Sequence, residues 1–155
     1  MNKYTKKYKE LVDKLIDKSF PSLRGKEIYI SYFSGKKYSG GAFWILPFWR
    51  VIFINRDRKF SNNQLRGLFV HELGHFEVYQ KRGWLLFWFV ELLYWVFPRF
   101  REKEEKNVDK RIIQKGYAKE YYSLVKGFYN KKLKASKYYF SPEEIRSYAQ
   151  KIRKW

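Results

Sequence analysis

Apolar and polar residues follow two different rhythms along this chain. In the first twenty residues Leu11, Val12, Leu15 and Ile16 recur with helical spacing. Between residues 27 and 55, short runs rich in β-branched and aromatic residues are separated by turns rich in glycine and lysine, which is typical of strands. Helical spacing then returns and predominates to the end of the chain.

The predicted elements, in chain order, are a helix within 1–20, strands at 27–33, 42–46 and 49–55, a helix at 63–82, an apolar segment at 83–98, helices at 99–114 and 117–125, and a last helix from 142 to about 155. A helix followed by a small sheet and then by more helices indicates an α+β fold. We expect a mostly antiparallel sheet packed on the 63–82 helix, followed by a helical C-terminal half.

Capping residues mark several of these helix ends. Residues 61–64, Ser-Asn-Asn-Gln, match a capping box at the start of the 63–82 helix. Gly83 suits the position just after the end of the same helix. Gly116 closes the 99–114 helix in the same way. Residues 141–144, Ser-Pro-Glu-Glu, combine a serine N-cap with proline at the first helical position.

With 155 residues the chain is long enough for one domain with a substantial core. We divide this domain into an N-terminal helix, the sheet with the central helix, an aromatic helix, a pair of helices and a tail helix. The corresponding ranges are 1–20, 27–82, 83–98, 99–126 and 127–155.

The composition is strongly basic, since 34 Lys and Arg against 15 Asp and Glu give a formal net charge of +19. Such a charge attracts polyanions, including nucleic acid and anionic lipid. The chain carries no recognised nucleic-acid-binding motif, so we do not expect a specific nucleic-acid partner. The N-terminus leads into a polar amphipathic stretch and not into the apolar core of a signal peptide. We therefore expect a cytoplasmic protein, peripheral to a membrane where it binds lipid.

Residues 84–97 form an almost wholly apolar, aromatic run in which Glu91 is the single charge. As a helix this run would be about 21 Å long at ~1.5 Å per residue, shorter than the roughly 30 Å hydrocarbon core of a bilayer. Tryptophan and tyrosine with basic flanks suit an anionic membrane surface. Burial in the core or contact with a second subunit is the alternative, and the oligomeric state stays open.

The most specific motif is His71-Glu72-Leu73-Gly74-His75, which holds both histidines of the chain. Residues four apart share a face of a helix, so the two imidazoles can point at a common metal ion. Zinc favours such ligands, and Glu72 can sit beside the metal as a general base. Two satisfied structural histidines would be the ordinary alternative. The apolar residues around the motif count against it, because they predict a buried helix.

A catalytic zinc site needs a third protein ligand. The chain has no cysteine and no third histidine, so that ligand must be a carboxylate. Glu105 and Asp109 lie four apart on a predicted helix. We assign Glu105 to the metal and Asp109 to a hydrogen bond with the outer nitrogen of a ligating histidine. Glu104 is the alternative ligand, and an ordinary solvated charge run is the alternative to both.

These residues predict a peptide-bond hydrolase with one Zn²⁺ per chain. Zinc lowers the pKa of a water and polarises the scissile carbonyl, and Glu72 accepts the proton. The oxyanion needs a further donor, which must be a tyrosine or an arginine because no histidine remains. Tyr117 and Tyr121, which follow the Glu105 helix, are the candidates offered by position alone.

At this point the sequence resembles the gluzincin group of zinc metallopeptidases, in which a glutamate within Glu-x-x-x-Asp on a later helix completes a His-Glu-x-x-His site. His71, Glu72, His75, Glu105 and Asp109 match that pattern. The chain is also similar to minigluzincins and to HtpX-like and CAAX-prenyl-protease-like membrane peptidases. The likeness covers roughly residues 27–120.

In the membrane peptidases of this group, a strand with Asn-Ala-Phe and then an apolar strand precede a His-Glu-Leu-Gly-His helix. This chain has Gly41 where asparagine is usual, followed by Ala42, Phe43 and Trp44. The resemblance implies that Ala42 to Trp44 belong to an edge strand that binds a protein or peptide substrate as an added β-strand.

Two other interpretations of the sequence remain open. One is a non-enzymatic basic module that binds membrane or nucleic acid and keeps zinc structurally. The other is a latent peptidase whose C-terminal segment, residues 131–155, lies in its own cleft.

Overall fold

The computed structural model describes residues 3–36, 38–46, 48–129 and 137–155. Its helices are α1 (Lys3–Ser19), α2 (Asn62–Arg82), α3 (Trp84–Val96), α4 (Pro98–Gln114), α5 (Ala118–Tyr129) and α6 (Pro142–Lys151), and its strands are β1 (Ile28–Phe33), β2 (Gly40–Leu46) and β3 (Trp49–Asn55). A short 3-10 turn spans Pro21–Leu23. The α+β class and the helical C-terminal half are confirmed.

The three strands form one sheet in the order β1-β3-β2. β2 and β3 pair antiparallel, as expected for neighbouring strands, but β1 and β3 pair parallel. The sheet is therefore mixed, and the expectation of a mostly antiparallel sheet is corrected in this respect. The physical reason is that β1 and β2 lie on opposite edges, so the chain crosses the sheet between them before it returns through β3.

Asn55, at the end of β3, anchors this crossing. Its side chain is fully buried, and its Nδ2 donates to the carbonyl oxygens of Gly35 at 2.5 Å and Tyr38 at 2.7 Å. Its Oδ1 accepts from the amide of Asp57 at 2.9 Å. Buried polar groups are retained where they are hydrogen-bonded, so this one amide fixes the loop that leads into β2.

α2 is the central helix, buried on all sides from Phe69 to Tyr79. Its predicted capping box is present, since the Gln64 amide donates to Ser61 Oγ at 3.3 Å and the Ser61 amide donates to Gln64 Oε1 at 2.9 Å. Gly83 ends it with a φ of 83°, a conformation that favours glycine. β2, α3, α4 and α5 all contact α2.

Two glycines of α2 allow neighbouring helices to approach closely. A Cβ at Gly67 would lie 2.5 Å from the carbonyl oxygen of Glu120 on α5. A Cβ at Gly74 would lie 2.8 Å from Cγ1 of Val108 on α4. The close approach explains why α2 carries glycine at helical positions where alanine is intrinsically favoured by about 1 kcal/mol.

The tail packs back onto this core. Ser141 caps α6 as predicted, accepting from the Glu144 amide at 3.1 Å, and Ile145 and Ala149 are fully buried. α6 ends at Lys151, short of the predicted end near residue 155, because Arg153 adopts a φ of 56° that a right-handed helix cannot continue.

Replacing Gly67 by alanine is expected to destabilise the protein by about 1–3 kcal/mol, as over-packing does, despite the better helix propensity of alanine. The reason is that the new methyl group meets the backbone of α5. Thermal denaturation followed by circular dichroism measures the effect, at roughly 2–4 °C per kcal/mol.

Gly127→Ala is the matched control for this change. Gly127 lies on α5, and a Cβ there would meet the side-chain amide of Gln64, which can move aside. We expect a smaller change in melting temperature than for Gly67→Ala. Equal melting temperatures for the two variants would contradict the close approach of α5 to α2.

Candidate metal centre

The two imidazoles of α2 converge as the spacing predicts. His71 and His75 lie one turn apart, and both side chains are buried. Their Nε2 atoms are 3.1 Å from one another, and the rings meet nearly perpendicular at 80°. Both histidines of the chain therefore present the same ring nitrogen to one point.

α4 brings a carboxylate to that point. Glu105 Oε2 lies 3.2 Å from the Nε2 of His71 and 3.2 Å from the Nε2 of His75. The Glu105 side chain is almost completely buried. Among the residues that the structure describes, these three are the group of His, Asp and Glu side chains close enough to hold one metal ion.

The three atoms fit a metal ion in geometry and in chemistry. In a tetrahedral site with bonds of about 2.0–2.1 Å, ligand atoms lie about 3.3–3.4 Å apart. The observed separations of 3.1–3.2 Å are close to this value. Burial alone would raise the pKa of Glu105, but the His75 and His71 imidazoles outweigh it and hold this pKa well below its usual range. The carboxyl group is therefore in the ionised form that binds metal.

Asp109 lies behind His71, with its Oδ1 3.3 Å from His71 Nδ1, the nitrogen that faces away from the triad. The two groups are at the predicted place, but the geometry of a hydrogen bond between them is not met. Tyr121 donates its hydroxyl to the same oxygen at 2.5 Å, and the Phe140 amide donates to Oδ2 at 2.8 Å. The Tyr121 ring also stacks on the His71 imidazole, with the planes 2° apart. Both the carboxylate and the imidazole are thus held in place.

His75 has a different outer partner, which was not predicted from the sequence. Its Nδ1 lies 3.3 Å from the hydroxyl of Tyr79, and that hydroxyl donates to Glu91 Oε1 at 3.1 Å. Because the Tyr79 proton is directed to Glu91, its oxygen remains to accept from His75 Nδ1–H. This arrangement leaves the Nε2 of His75 with a lone pair for a metal. Tyr79 follows His75 by four residues, and that spacing was the available signal.

Glu91, the single charge of α3, is accounted for by this network. Besides Tyr79, it accepts a hydrogen bond from Trp95 Nε1 at 3.3 Å. Burial raises its pKa above the ordinary value, an effect that the Tyr79 hydrogen bond opposes. The Glu91 carboxylate, the single charge in the apolar 84–97 segment, therefore faces the candidate metal site and not the solvent.

Glu72 lies in the motif but outside the converging triad. Its side chain is buried and lines a cavity of about 400 Å³ that opens beside His71, His75 and Glu105. Burial raises the pKa of the Glu72 carboxyl, while the nearby imidazoles lower it. A carboxylate with a raised pKa beside a metal site is a stronger proton acceptor than one in water.

β2 forms one wall of the cavity. It is an edge strand, and its residues Ala42 and Phe43 line the cavity as the resemblance implied. Trp44 points the other way, because it is buried against Phe87 with the rings 5.9 Å apart. Of the three predicted substrate-binding residues, two therefore face the cavity.

Glu104, the alternative third ligand, is engaged elsewhere. Its carboxylate accepts two hydrogen bonds from the guanidinium of Arg82, one of them 3.0 Å long, and so ties the end of α2 to α4. The structure thus distinguishes between two adjacent glutamates that the spacing left open, in favour of Glu105.

The two predicted oxyanion donors are not on the cavity wall. The Tyr117 hydroxyl lies 2.7 Å from Ser19 Oγ, and Tyr121 donates to Asp109. Both predictions are wrong in placement, since α5 packs behind α2 and not over its open side. The tyrosines that line the cavity are instead Tyr38, Tyr79, Tyr94 and Tyr139. Tyr139 precedes α6 in a stretch without periodic pattern, so the sequence offered no signal for it.

Alanine at Glu105 is expected to lower metal affinity by more than the roughly 10–100-fold typical of a changed outer partner. Glu104→Ala should retain one equivalent of metal per chain, although it loses the Arg82 pair. Elemental analysis after dialysis against a metal-buffered solution measures both. Loss of metal in Glu104→Ala with retention in Glu105→Ala would contradict the assignment.

Comparisons with protein-family models, with curated proteins and with solved structures find no match to this chain.

Proposed function

We propose that this protein is a zinc-dependent endopeptidase that hydrolyses peptide bonds in protein or peptide substrates, with Glu72 as the general base. The observation that carries the proposal is the convergence of His71, His75 and Glu105 on the wall of a cavity that Glu72 also lines.

The ligand set supports a catalytic rather than a structural zinc ion. Structural sites close the coordination with four protein ligands, whereas catalytic sites use three and keep one position open. Within the described residues, three side chains converge, and the cavity of about 400 Å³ adjoins them. Zinc bound there would act as a Lewis acid and lower the pKa of water.

Glu72 supplies the proton transfer. It precedes Leu73 and Gly74 on α2, so the same helix fixes the base and both imidazoles. Its burial excludes competing solvent and raises its pKa. In this role the carboxylate accepts a proton from the attacking water and returns it to the leaving amine.

β2 supports recognition of an extended peptide. An edge strand has one row of backbone groups that no neighbouring strand of the sheet uses, and a peptide can pair with it by main-chain hydrogen bonds. Because Ala42 and Phe43 line the cavity, a peptide that pairs with β2 runs past the triad. The same pairing gives little side-chain selectivity, so we expect cleavage in unfolded or extended segments.

Tyr139 is the proposed donor to the oxyanion. Its ring stands edge-on to His71, with the ring centres 5.4 Å apart, and it lines the cavity. Two other tyrosines that line the cavity already donate their hydroxyls, Tyr94 to Glu105 Oε1 and Tyr79 to Glu91 Oε1. Tyr139 is therefore better placed than Tyr94 or Tyr79 to stabilise a charge that develops in the cavity.

The same residue also supports a second candidate, a peptidase held latent by its tail. The Phe140 amide fastens the tail to Asp109, and Tyr139 occupies part of the cavity wall. Removing the tail would not test this cleanly, because Phe140, Ile145 and Ala149 belong to the core. A point substitution at Tyr139 is the sharper probe.

Replacing Glu72 by glutamine is expected to lower kcat for hydrolysis of an unfolded protein such as casein by about 10²–10⁴-fold, since the amide cannot accept the proton. The variant should keep one zinc ion per chain. Glu77→Gln is the matched control, because Glu77 is a buried glutamate on the same helix that pairs with Lys115 at 3.0 Å.

Undiminished hydrolysis in Glu72→Gln would contradict the proposal. Zinc retained by the wild type without hydrolysis of any unfolded substrate, including in the Tyr139 variants, would favour a non-enzymatic module with a structural metal.

Substitutions at Tyr139 distinguish the active peptidase from the latent peptidase by the direction in which hydrolytic activity changes. If the hydroxyl stabilises the oxyanion, Tyr139→Phe lowers kcat by about 10²–10³-fold with the metal retained. If the side chain blocks the cleft, Tyr139→Ala raises activity and Tyr139→Phe leaves it unchanged. Tyr117→Phe is the control, since that hydroxyl lies outside the cavity. Steady-state kinetics on one unfolded substrate measures all three.

A further inference from the structure

α3 has two faces that differ in environment although both are apolar in sequence. Phe87 and Val90 are buried, and Glu91 and Tyr94 on the same side line the cavity. The opposite side, which we call the outer face, is exposed. It consists of Leu85 (81% exposed), Trp88, Phe89 (58%), Leu92 (59%) and Val96.

The outer face follows helical spacing, so its five side chains form one continuous stripe. A helix that is apolar all round is ordinarily buried all round. Contiguous apolar surface on a water-exposed side is a hallmark of an interaction site. We therefore expect an apolar partner to cover the outer face of α3 and shield it from water.

The turn between β2 and β3 adds a second exposed apolar element. Phe48 is 71% exposed, and Leu46 and Trp49 beside it are also exposed. β2, which leads into this turn, and α3 border the same cavity, because Ile45 of β2 and Trp95 of α3 both line it. Two apolar surfaces thus flank one opening.

Charge indicates what covers these surfaces. Lys81 and Arg99, just beyond the two ends of α3, are exposed, and the outer face itself carries no charge. The chain has a formal net charge of +19. A second copy of the chain would bring an equal positive charge to the contact, which opposes association, whereas an anionic lipid surface attracts it.

The length of α3 restricts how it meets lipid. Within the described residues no helix is long and apolar enough to cross a bilayer. α3 has 13 residues, which gives a length of about 20 Å at ~1.5 Å per residue. At a membrane, a short apolar helix of this kind would lie in the plane of the interface, which would place Trp88 and Trp95 at headgroup depth.

We propose that the outer face of α3 and the β2–β3 turn dock together into the surface of an anionic membrane, with the mouth of the cavity against the lipid. The inference concerns where the protein resides and holds whether or not the site is a peptidase.

Flotation of the full-length protein with vesicles tests this proposal. Binding to phosphatidylcholine vesicles containing phosphatidylglycerol should be strong at low salt, and weaker at high salt or on phosphatidylcholine alone. Phe89→Gln with Leu92→Gln should lower the partition coefficient by about tenfold or more, because two apolar side chains no longer enter lipid.

The matched control is Tyr29→Gln with Trp155→Gln, which removes two exposed aromatic side chains away from α3 and the β2–β3 turn. This pair should leave binding nearly unchanged. Acyl-chain brominated lipid should quench the tryptophan fluorescence of the wild type more than that of the Trp88→Phe variant.

Three results would overturn the proposal. The first is no binding to anionic vesicles at low salt. The second is equal binding by the two double variants, which would show that scattered lysines alone attract the lipid. The third is a wild-type protein that is dimeric and a Phe89→Gln/Leu92→Gln variant that is monomeric, with no lipid binding by either protein.

Discussion

The site depends on how closely α4 packs against α2. Gly74 lies between the two histidines of α2, and Val108 lies between Glu105 and Asp109 of α4. A Cβ at Gly74 would come within 2.8 Å of the Val108 side chain, so glycine is what permits the contact. A larger residue there would push α4 outward and separate the Glu105 carboxylate from the imidazoles. Packing and metal chemistry are thus set by one helix–helix contact.

The part of the site that the sequence predicts is the part that regular spacing encodes. Both residue pairs of the site follow the four-residue repeat of a helix, so His71 with His75, and Glu105 with Asp109, could be placed on common helix faces from the sequence alone. The capping boxes are equally local, and they fixed the starts of α2 and α6. The chemical type of the third ligand followed by elimination. A chain without cysteine and without a third histidine must complete such a site with a carboxylate oxygen.

What the sequence could not predict depends on contacts between distant segments. The parallel pairing of β1 with β3 follows from a crossing loop held by Asn55, which no periodicity reveals. Tyr139 reaches the cavity because α6 folds back on α4 and α5. Tyr117 was misplaced for the same reason, since only the packing shows that α5 lies behind α2. Spacing alone also left Glu104 and Glu105 equivalent, until the pairing of Glu104 with Arg82 separated them.

Anomalous diffraction at the zinc absorption edge, from crystals grown with one equivalent of zinc, tests the central claim most directly. We expect one strong peak per chain at about 2.0–2.2 Å from the Nε2 atoms of His71 and His75 and from a Glu105 carboxylate oxygen, with a fourth position open to the cavity. A peak elsewhere, or a fourth protein ligand that closes the site permanently, would contradict it.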